Sequence, residues 1–485
     1  MKRGICLILA AQLMLLAACG SDAGTGNETT SGSVNSGDTT VTDDGGEKTR
    51  LDELGARDLG GRDFVIMDAN DYPSRSMNIY DAEITGDTVN DAIHNRDNKI
   101  SELYNVRIKY ERPENAAEGC KTLSQAFLAG DNICDIVYSR GTGSDGLLSL
   151  VSQRALANLE DIEYLSFDKP WWSGFAYENL NLGGKLYFAI GDLMSNMYVS
   201  PVVMTANLSL LEQYAPDDDI YDLVNEGRWT IDKLIEFTKF NNDLDGDGVL
   251  HTANDFFGLV GDMSGGGLAE GAFVVAEGVD LCHNDGETIT VSLTDEHTAD
   301  VVSKVAKLPP HEKMNDRWEY VKTFKEDRSI FLQTYMDDVV NSMRDMDSDY
   351  LILPAPKYDE AQENYKCLVN GWTACFMGIM ANADVDEAGF IAEALGYESY
   401  TVVRPEVYEK LLKQKAARDE RSTAMVELMF DSLTIDFNAL CDFGGTVGIL
   451  GKSIYKDTPL ASALAKKQEA TDDEIAKFTD NWLQK

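Results

Sequence analysis

Short apolar runs alternate with amphipathic stretches along the chain from Asp63 onward. The apolar runs at residues 64–67, 106–110 and 133–138 each have the length of one buried strand, and the stretches at 89–104, 123–129 and 147–156 have helical spacing. In the first of these helices, Val89, Ile93 and Ile100 share one face. This order of strands and helices predicts the start of an open α/β lobe.

A second unit follows with the same alternation. It contains predicted strands at 185–190 and 199–205 and predicted helices at 208–214 and 230–241, the last with Thr230 as its N-cap. Asp285 and Gly286 lie between the apolar runs 279–281 and 289–291, which predicts a hairpin. Helices are then predicted at 387–395, 405–413, 422–433 and 473–483. The pattern therefore predicts two α/β lobes with extra C-terminal helices.

The N-terminus has the pattern of an exported lipoprotein. Lys2 and Arg3 precede a mostly apolar run at 5–16, which ends at Leu-Ala-Ala-Cys with Cys19 as the cysteine. The run is shorter than the ~20 residues that cross a bilayer. We expect residues 1–18 to be a signal peptide and lipid on Cys19 to anchor the protein at the outer face of the cell membrane. The alternative is a signal peptide cut elsewhere, with Cys19 incidental.

Residues 20–48 are almost wholly Gly, Ser, Thr, Asn and Asp, without an aromatic residue. Such a composition cannot bury enough surface to fold, so we expect a disordered tether at 19–50. The chain carries 83 acidic and 42 basic side chains, a net charge of −41. This balance excludes nucleic acid as a natural partner and disfavours a surface that lies on anionic lipid.

Six cysteines remain beyond the N-terminal segment, and export permits disulfides between them. They are widely scattered in a body large enough to need no cross-links, so buried free thiols are the preferred interpretation. No Cys-x-x-Cys pair occurs, so zinc binding and dithiol chemistry have no support. The six are Cys120, Cys134, Cys282, Cys367, Cys375 and Cys441.

Five sequence strings of the body occur together with the lipoprotein signal. They are Lys-Pro-Trp-Trp at 169–172, Gly-Gly-Lys-Leu-Tyr-Phe-Ala-Ile-Gly-Asp at 183–192, Glu-Gly-Arg-Trp-Thr-Ile-Asp-Lys-Leu at 226–234, Leu-Ile-Leu-Pro-Ala-Pro-Lys-Tyr at 351–358 and Arg-Asp-Glu-Arg-Ser at 418–422. With these strings the chain resembles family 1 extracellular solute-binding proteins of bacterial ABC importers, of the carbohydrate type, and the resemblance covers roughly residues 60 to 480.

The resemblance implies a two-lobe periplasmic-binding-protein-like fold, type II and maltose-binding-protein-like, with a hinge. It implies lobe one at 60–165 plus 315–370 and lobe two at 166–314 plus 371–485. A monomer of this kind captures a sugar or oligosaccharide between its lobes and delivers it to an ABC permease formed by other chains. Two alternatives stay open: a surface lipoprotein of the same fold that acts as a sensor or adhesin, and a glycan-active enzyme.

A sugar-binding site needs aromatic rings to stack on and polar side chains for the hydroxyl groups. Trp171 and Trp172 follow Pro170 between the two units and are predicted to face the ligand, although one of them can instead pack. Trp372 is the strongest aromatic candidate, because it follows Asn-Gly where the resemblance has the chain crossing between lobes. Trp229 precedes a helix and is predicted to be a packing residue.

Three further candidates lie after predicted strands, at the edge where open α/β sheets bind ligands. Asp192 follows the strand predicted at 185–190, Tyr72 follows the first strand and Arg140 follows the third. For Asp192 a capping role is the alternative. The segment Gly141–Gly146 matches Gly-x-Gly-x-x-Gly, but it does not open the fold and carries an acid where a pyrophosphate would lie. We expect a loop at the mouth of the cleft instead of a dinucleotide site.

The segment 243–248, Asp-Leu-Asp-Gly-Asp-Gly, matches the first half of a calcium-binding loop. Asp243, Asp245 and Asp247 would supply carboxylates, Val249 a carbonyl and His251 a bridging water. The twelfth position is Asn254 instead of an acid, with Asp255 one residue late. Both a structural calcium ion, with Asp255 as a further ligand, and a metal-free Asp/Gly turn stay open.

Catalytic patterns are missing from the sequence. The five histidines show no metal-ligand spacing, and neither Gly-x-Ser-x-Gly nor His-Glu-x-x-His occurs. We therefore predict a binding protein without catalytic residues or a required cofactor, although paired carboxylates as in glycosidases stay open among so many acids.

Overall fold

The computed structural model describes residues 48–71, 83–143, 145–251, 253–262, 268–291, 293–308, 318–412, 420–456 and 458–484. The predicted signal peptide at 1–18, Cys19 and most of the predicted tether at 19–50 lie outside these residues. Residues 49–485 form one unit by their internal contacts.

Twelve strands are assigned in the described residues. They are β1 (Arg62–Ala69), β2 (Val106–Glu111), β3 (Ile136–Arg140), β4 (Val202–Asn207), β5 (Phe257–Val260), β6 (His283–Asn284), β7 (Ile289–Thr290), β8 (Ser329–Tyr335), β9 (Tyr350–Leu353), β10 (Cys367–Leu368), β11 (Cys375–Ile379) and β12 (Leu433–Thr434).

The same residues contain nineteen α-helices. They are α1 (Arg50–Leu54), α2 (Thr88–Tyr104), α3 (Ala116–Ala129), α4 (Leu147–Ser152), α5 (Gly174–Leu180), α6 (Leu208–Tyr214), α7 (Ile220–Asn225), α8 (Ile231–Phe237), α9 (Leu268–Ala276), α10 (Glu296–Val305), α11 (Trp318–Lys325), α12 (Met336–Ser342), α13 (Val385–Glu398), α14 (Arg404–Leu412), α15 (Glu420–Asp431), α16 (Phe437–Cys441), α17 (Thr446–Tyr455), α18 (Leu460–Ala465) and α19 (Gln468–Trp482). A π-helical turn at Ser399–Val403 joins α13 to α14.

Two four-stranded sheets form the framework. The first has the order β11-β3-β1-β2, in which β1 pairs in parallel with β2 and β3 while β11 is antiparallel to β3. The second has the order β5-β8-β4-β9, with β4 antiparallel to both of its neighbours. The mixed α/β class predicted from the sequence is confirmed.

Both faces of the second sheet are buried, because successive side chains of a strand point to opposite faces. On β4, Val203 belongs to the larger hydrophobic cluster, which also contains Ile66 and Ile136 of the first sheet. The neighbouring Met204 belongs to a second cluster on the other face, together with Phe331 of β8. Hydrophobic packing therefore runs without a break from the first sheet to one face of the second.

Local sequence signals explain the first half of the fold. Helix α2 begins after Asp87, whose side chain accepts from two backbone N–H groups, and it ends at Asn105 in the left-handed conformation. The predicted cap Thr230 is confirmed, since its side chain accepts from the N–H of Lys233 at the start of α8. The hairpin around Gly286 is also confirmed, although its strands, β6 and β7, are only two residues long each.

One prediction about the sheets was wrong. Residues 185–190 do not form a strand; they make only isolated bridges, one of them between Ala189 and Met377. The lobe boundaries stay a prediction; within residues 315–370, β8 and β9 pair with β4 in the second sheet. Strand pairing joins residues that are far apart in the sequence, so a local pattern does not predict it.

The cysteines and the C-terminal helix complete the core. All six cysteines of the body are free, and five are buried while Cys441 is partly exposed, as expected for free thiols. In α19, Trp482 is fully buried and its Nε1 donates a hydrogen bond to the carbonyl of Lys185 at 3.0 Å. The extra C-terminal helices predicted from the sequence are present, and the last of them, α19, packs on the segment that had been predicted as a strand.

Candidate functional site

Trp372 and Arg140 lie together at one edge of the first sheet. Arg140 ends β3, and the antiparallel register pairs it with Cys375 at the start of β11, so the turn that carries Trp372 comes beside it. The guanidinium carbon of Arg140 lies 4.8 Å from the centroid of the indole ring, a cation–π contact. Trp372 is nevertheless 50% exposed. These two sequence candidates therefore form one half-open aromatic site.

Two acids fix the guanidinium over the ring. Arg140 pairs with Asp71, which follows β1, and its Nη2 lies 2.6 Å from Oδ1 of Asp145. Asp71 also accepts from the N–H of Ala116 at 2.9 Å. Arg140 is thus an internal support of the site, whereas Asp145 keeps 47% of its side chain exposed. Sequence analysis missed both acids as site residues, although each is a polar residue just after a strand.

The turn before β11 is closely packed at its glycine. A Cβ on Gly371 would lie 2.5 Å from a methyl group of Leu440 and 2.8 Å from that of Thr142, so both side chains would have to shift to make room for it. The N–H of Trp372 donates to the side chain of Asn370 at 3.0 Å, which closes the turn. The backbone therefore holds the indole in place before any ligand arrives.

The segment Gly141–Gly146 is the turn that joins β3 to α4. A Cβ on Gly146 would lie 2.4 Å from the carbonyl oxygen of Thr142, so the turn is tight. Its acid, Asp145, is the one that pairs with Arg140. Through Asp145 the segment therefore supports the aromatic site.

Trp171 and Trp172 are buried, so the prediction that they face a ligand is not supported. They are 6% and 4% exposed, and the ring of Trp171 packs edge-on against Tyr397 of α13. Nε1 of Trp172 donates to the buried carboxylate of Glu393, also on α13, at 2.9 Å. Helix α13 covers the pair and makes both residues part of the core, which is the packing alternative.

Asp192 lies in the interior as well. It is 5% exposed, accepts a hydrogen bond from the hydroxyl of Tyr198, and lies 3.6 Å from Nη1 of Arg404. Burial raises the pKa of Asp192 to about 6, even though the positive charge of Arg404 acts in the opposite direction. Because residues 185–190 are not a strand, the argument that placed Asp192 at a sheet edge does not apply.

The remaining aromatic candidates have different outcomes. Trp229 is fully buried, stacks on Phe331 at 5.2 Å and donates from Nε1 to the carbonyl of Pro354, which confirms its packing role. Tyr72 lies outside the described residues, directly after Asp71.

The Asp/Gly loop brings its three carboxylates together. One oxygen from each of Asp243, Asp245 and Asp247 lies within 4.8 Å of the others. Both oxygens of Asp243 accept backbone N–H groups, from Gly246 at 2.6 Å and from Gly248 at 2.7 Å. These bonds hold the pKa of Asp243 below its ordinary value. Three converging hard oxygens on a preformed turn fit a divalent cation.

Other residues predicted as ligands of that cation are placed differently. Asp255 is fully buried and accepts the N–H groups of Leu244 and His251, each at 2.7 Å, so it ties the two ends of the loop together. His251 lies beside the cluster, with Nε2 3.7 Å from Oδ2 of Asp247. Val249 is largely exposed and donates its N–H to Asp247. Asp255 therefore stabilises the loop and lies outside the carboxylate cluster.

Comparison with known proteins identifies the fold. No protein-family model and no curated protein matches the chain. Among solved structures, the maltose/maltodextrin-binding domain MalE from Bdellovibrio bacteriovorus bound to maltotriose matches with a TM-score of 0.52 at 16% identity, over 85% of this chain and 100% of that one.

Two further matches have the same character. A cyclo/maltodextrin-binding protein complexed with maltotetraose gives a TM-score of 0.57 at 12% identity, over 85% of this chain and 97% of that one. An ABC substrate-binding protein from Listeria monocytogenes in complex with cycloalternan gives 0.52 at 12% identity, over 86% and 99%. The chain therefore has the two-lobe, maltose-binding-protein-like fold of ABC substrate-binding proteins.

Proposed function

We propose that the protein captures a sugar or oligosaccharide between its two lobes and delivers it unchanged to the permease of an ABC importer. The observation that carries this proposal is the half-exposed indole of Trp372, held by Arg140 in a fold whose solved examples have maltotriose, maltotetraose or cycloalternan bound.

The chemistry of the Trp372 site suits a sugar ring. A pyranose presents an apolar face of C–H groups that stacks on an aromatic ring, and its hydroxyl groups need polar partners at the rim. Arg140 covers part of the indole, so the ligand uses the exposed part. Asp145 lies beside Arg140 with a half-exposed carboxylate, which can accept hydrogen bonds from sugar hydroxyl groups. Delivery of an unchanged sugar requires only binding and release, so no chemical reaction is needed at this site.

The location follows from the N-terminal pattern. We propose that the mature chain begins at lipidated Cys19 and is held at the extracytoplasmic face of the cell membrane, with the tether at 19–50 separating lipid from body. In the part of the chain that the structure describes, no helix has the length and apolarity of a membrane span.

We further propose that the loop of Asp243, Asp245 and Asp247 binds one calcium ion. The convergence of the three carboxylates supports this assignment, and the ion would stiffen a loop of the second sheet's lobe. The role is structural, so sugar binding does not depend on it.

A thermal-shift screen tests the main proposal. The full chain is mixed with maltotriose, maltotetraose, cycloalternan and a panel of other neutral oligosaccharides. A ligand at a hundredfold excess over its dissociation constant adds about 2.7 kcal/mol to the free energy of unfolding, which raises the Tm measurably. Products are checked by chromatography, since cleavage of a sugar would favour an enzyme. If no sugar in the panel raises the Tm, the proposal loses its support.

A further inference from the structure

A second aromatic groove lies beside the buried tryptophan pair and shares no residue with the Trp372 site. It has a volume of about 780 Å³, within the range of small-molecule sites, and is bordered by the segment around Phe167 and by α5. Its principal lining side chains are Glu160, Phe167, Asp168, Lys169, Tyr177 and Glu178.

One wall of the groove is aromatic. The rings of Phe167 and Tyr177 stack with centroids 5.3 Å apart and planes within 19° of each other. Phe167 also contacts Trp172 at 5.2 Å, so the wall rests on the core. Both Phe167 and Tyr177 remain partly exposed. Part of this aromatic surface therefore faces the groove.

The wall is held rigidly from below. The carboxylate of Glu393 is fully buried and accepts from Nε of Arg50 at 2.9 Å, from Nε1 of Trp172 at 2.9 Å and from the N–H of Ser166 at 3.3 Å. Arg50 also donates to the carbonyl of Tyr164 and to the hydroxyl of Ser166. A buried, fully used carboxylate at this place fixes the segment that carries Phe167. Such preorganisation reduces the entropy lost when a ligand binds.

The rim is polar and accessible. Asp168 has 77% of its side chain exposed and lies 3.6 Å from the ammonium of Lys169, a loose surface pair. Glu160 accepts from the amide of Asn181 at 2.7 Å, and Glu178 is exposed. Three carboxylates against one ammonium disfavour an anionic ligand, whereas they suit a polyol, whose hydroxyl groups both donate and accept.

We propose that this groove is a second saccharide-binding site, which takes a pyranose unit of a neutral glycan on the Phe167–Tyr177 wall. It would let the protein hold a longer glycan chain at its surface, independently of the ligand at Trp372. The proposal rests on the groove alone, so it does not require the importer function.

Gly174 offers a blocking variant that leaves the fold intact. It is the first residue of α5, is exposed, and a Cβ there meets no atom within 4 Å. Gly174 lines the groove, so Gly174→Phe adds a ring at its border, and Tyr177→Ala removes half of the aromatic wall. Leu128→Ala is the matched control, since Leu128 is an exposed apolar side chain of α3 that belongs to neither site. Circular dichroism and the Tm establish that each variant is folded.

Affinity electrophoresis of the full chain in native gels with amylopectin, arabinoxylan or galactomannan is the test. At least one of these neutral polysaccharides should retard the wild type. The dissociation constant should rise about tenfold in Gly174→Phe and Tyr177→Ala, and it should stay within about twofold in Leu128→Ala. The Tm screen with small sugars reports separately on the Trp372 site.

Three results would overturn the proposal. The first is retardation by none of the polysaccharides. The second is undiminished retardation of Gly174→Phe. The third is retardation only by cationic glycol chitosan, which would mean that the groove's acids attract charge without recognising a sugar.

Discussion

The tryptophan pair at 171–172 and the single Trp372 are both aromatic motifs predicted to bind ligand, yet only Trp372 is exposed. Trp171 and Trp172 lie under α13, which begins more than two hundred residues later, and Nε1 of Trp172 is bonded to Glu393. Trp372 is carried by a tight turn and touched from one side by Arg140. What decides the role of an indole is the element that covers it, and that element is remote in sequence.

The largest expected effect is on stability and concerns the buried member of this comparison, Trp172. Trp172→Ala removes a large side chain from the core and leaves the carboxylate of Glu393 without one of its donors. We expect the free energy of unfolding to fall by about 3–5 kcal/mol, measured by urea unfolding. Trp372→Ala is the matched control, with an expected change within about 0.5 kcal/mol. Equal losses in the two variants would contradict the assigned roles.

A second effect concerns the buried acid Asp192. Its pKa of about 6 in the folded state lies above its ordinary value of 3.8, so between these pH values the folded state binds more protons than the unfolded state. The contribution of this group to stability is therefore fully present below about pH 3.8 and is lost as the pH rises through 6.

Asp192→Asn should remove that dependence. The difference in free energy of unfolding between wild type and variant should change by up to about 3 kcal/mol between pH 4 and pH 7. The wild type should become less stable relative to the variant as the pH rises. Urea unfolding at several pH values measures it. Other buried acids, such as Asp68 and Asp436, cancel in the difference because both proteins contain them. A constant difference would show that Asp192 titrates normally.

The calcium loop gives a smaller effect. At a calcium concentration tenfold above its dissociation constant, the free energy of unfolding should rise by about 1.4 kcal/mol. Asp245→Ala should abolish this rise, whereas magnesium at the same concentration should not reproduce it in the wild type. Calorimetry that detects no calcium binding at millimolar concentration would remove the proposal.

The smallest expected effect concerns the exposed member of the comparison, Trp372, and its contact with Arg140. Arg140→Gln removes the charge over the indole, so quenching of tryptophan fluorescence by acrylamide should increase, while the free energy of unfolding falls by about 1 kcal/mol. Arg140→Lys keeps the charge without the planar guanidinium and should give an intermediate result. Unchanged quenching in both variants would mean that Arg140 does not shield Trp372.

Local patterns predicted much of the fold because their signals lie within a few residues. The alternation from β1 to β3, the cap at Thr230 and the turn at Gly286 all depend on neighbours in sequence. The strand predicted at 185–190 was wrong because the apolar character of these residues reflects burial under α19, where Nε1 of Trp482 donates a hydrogen bond to the carbonyl of Lys185. Apolar runs report burial, and burial alone does not distinguish a strand from an irregular segment.

The candidate site was predicted in part for the same reason. Trp372 and Arg140 were found separately, and only the register of β11 on β3 brings them together. Asp71 and Asp145 were missed as site residues, since nothing in the sequence indicates that both reach one guanidinium. Glycine and aspartate spacing, by contrast, was enough to predict the carboxylate cluster of the Asp/Gly loop.

The most direct test of the central claim is a calorimetric titration with the tightest-binding sugar from the Tm screen, applied to the wild type, Trp372→Ala and Trp172→Phe. If Trp372 is the aromatic surface on which the sugar stacks, its loss should raise the dissociation constant about tenfold or more, while Trp172→Phe should stay within about twofold. An unchanged dissociation constant in Trp372→Ala would contradict the account.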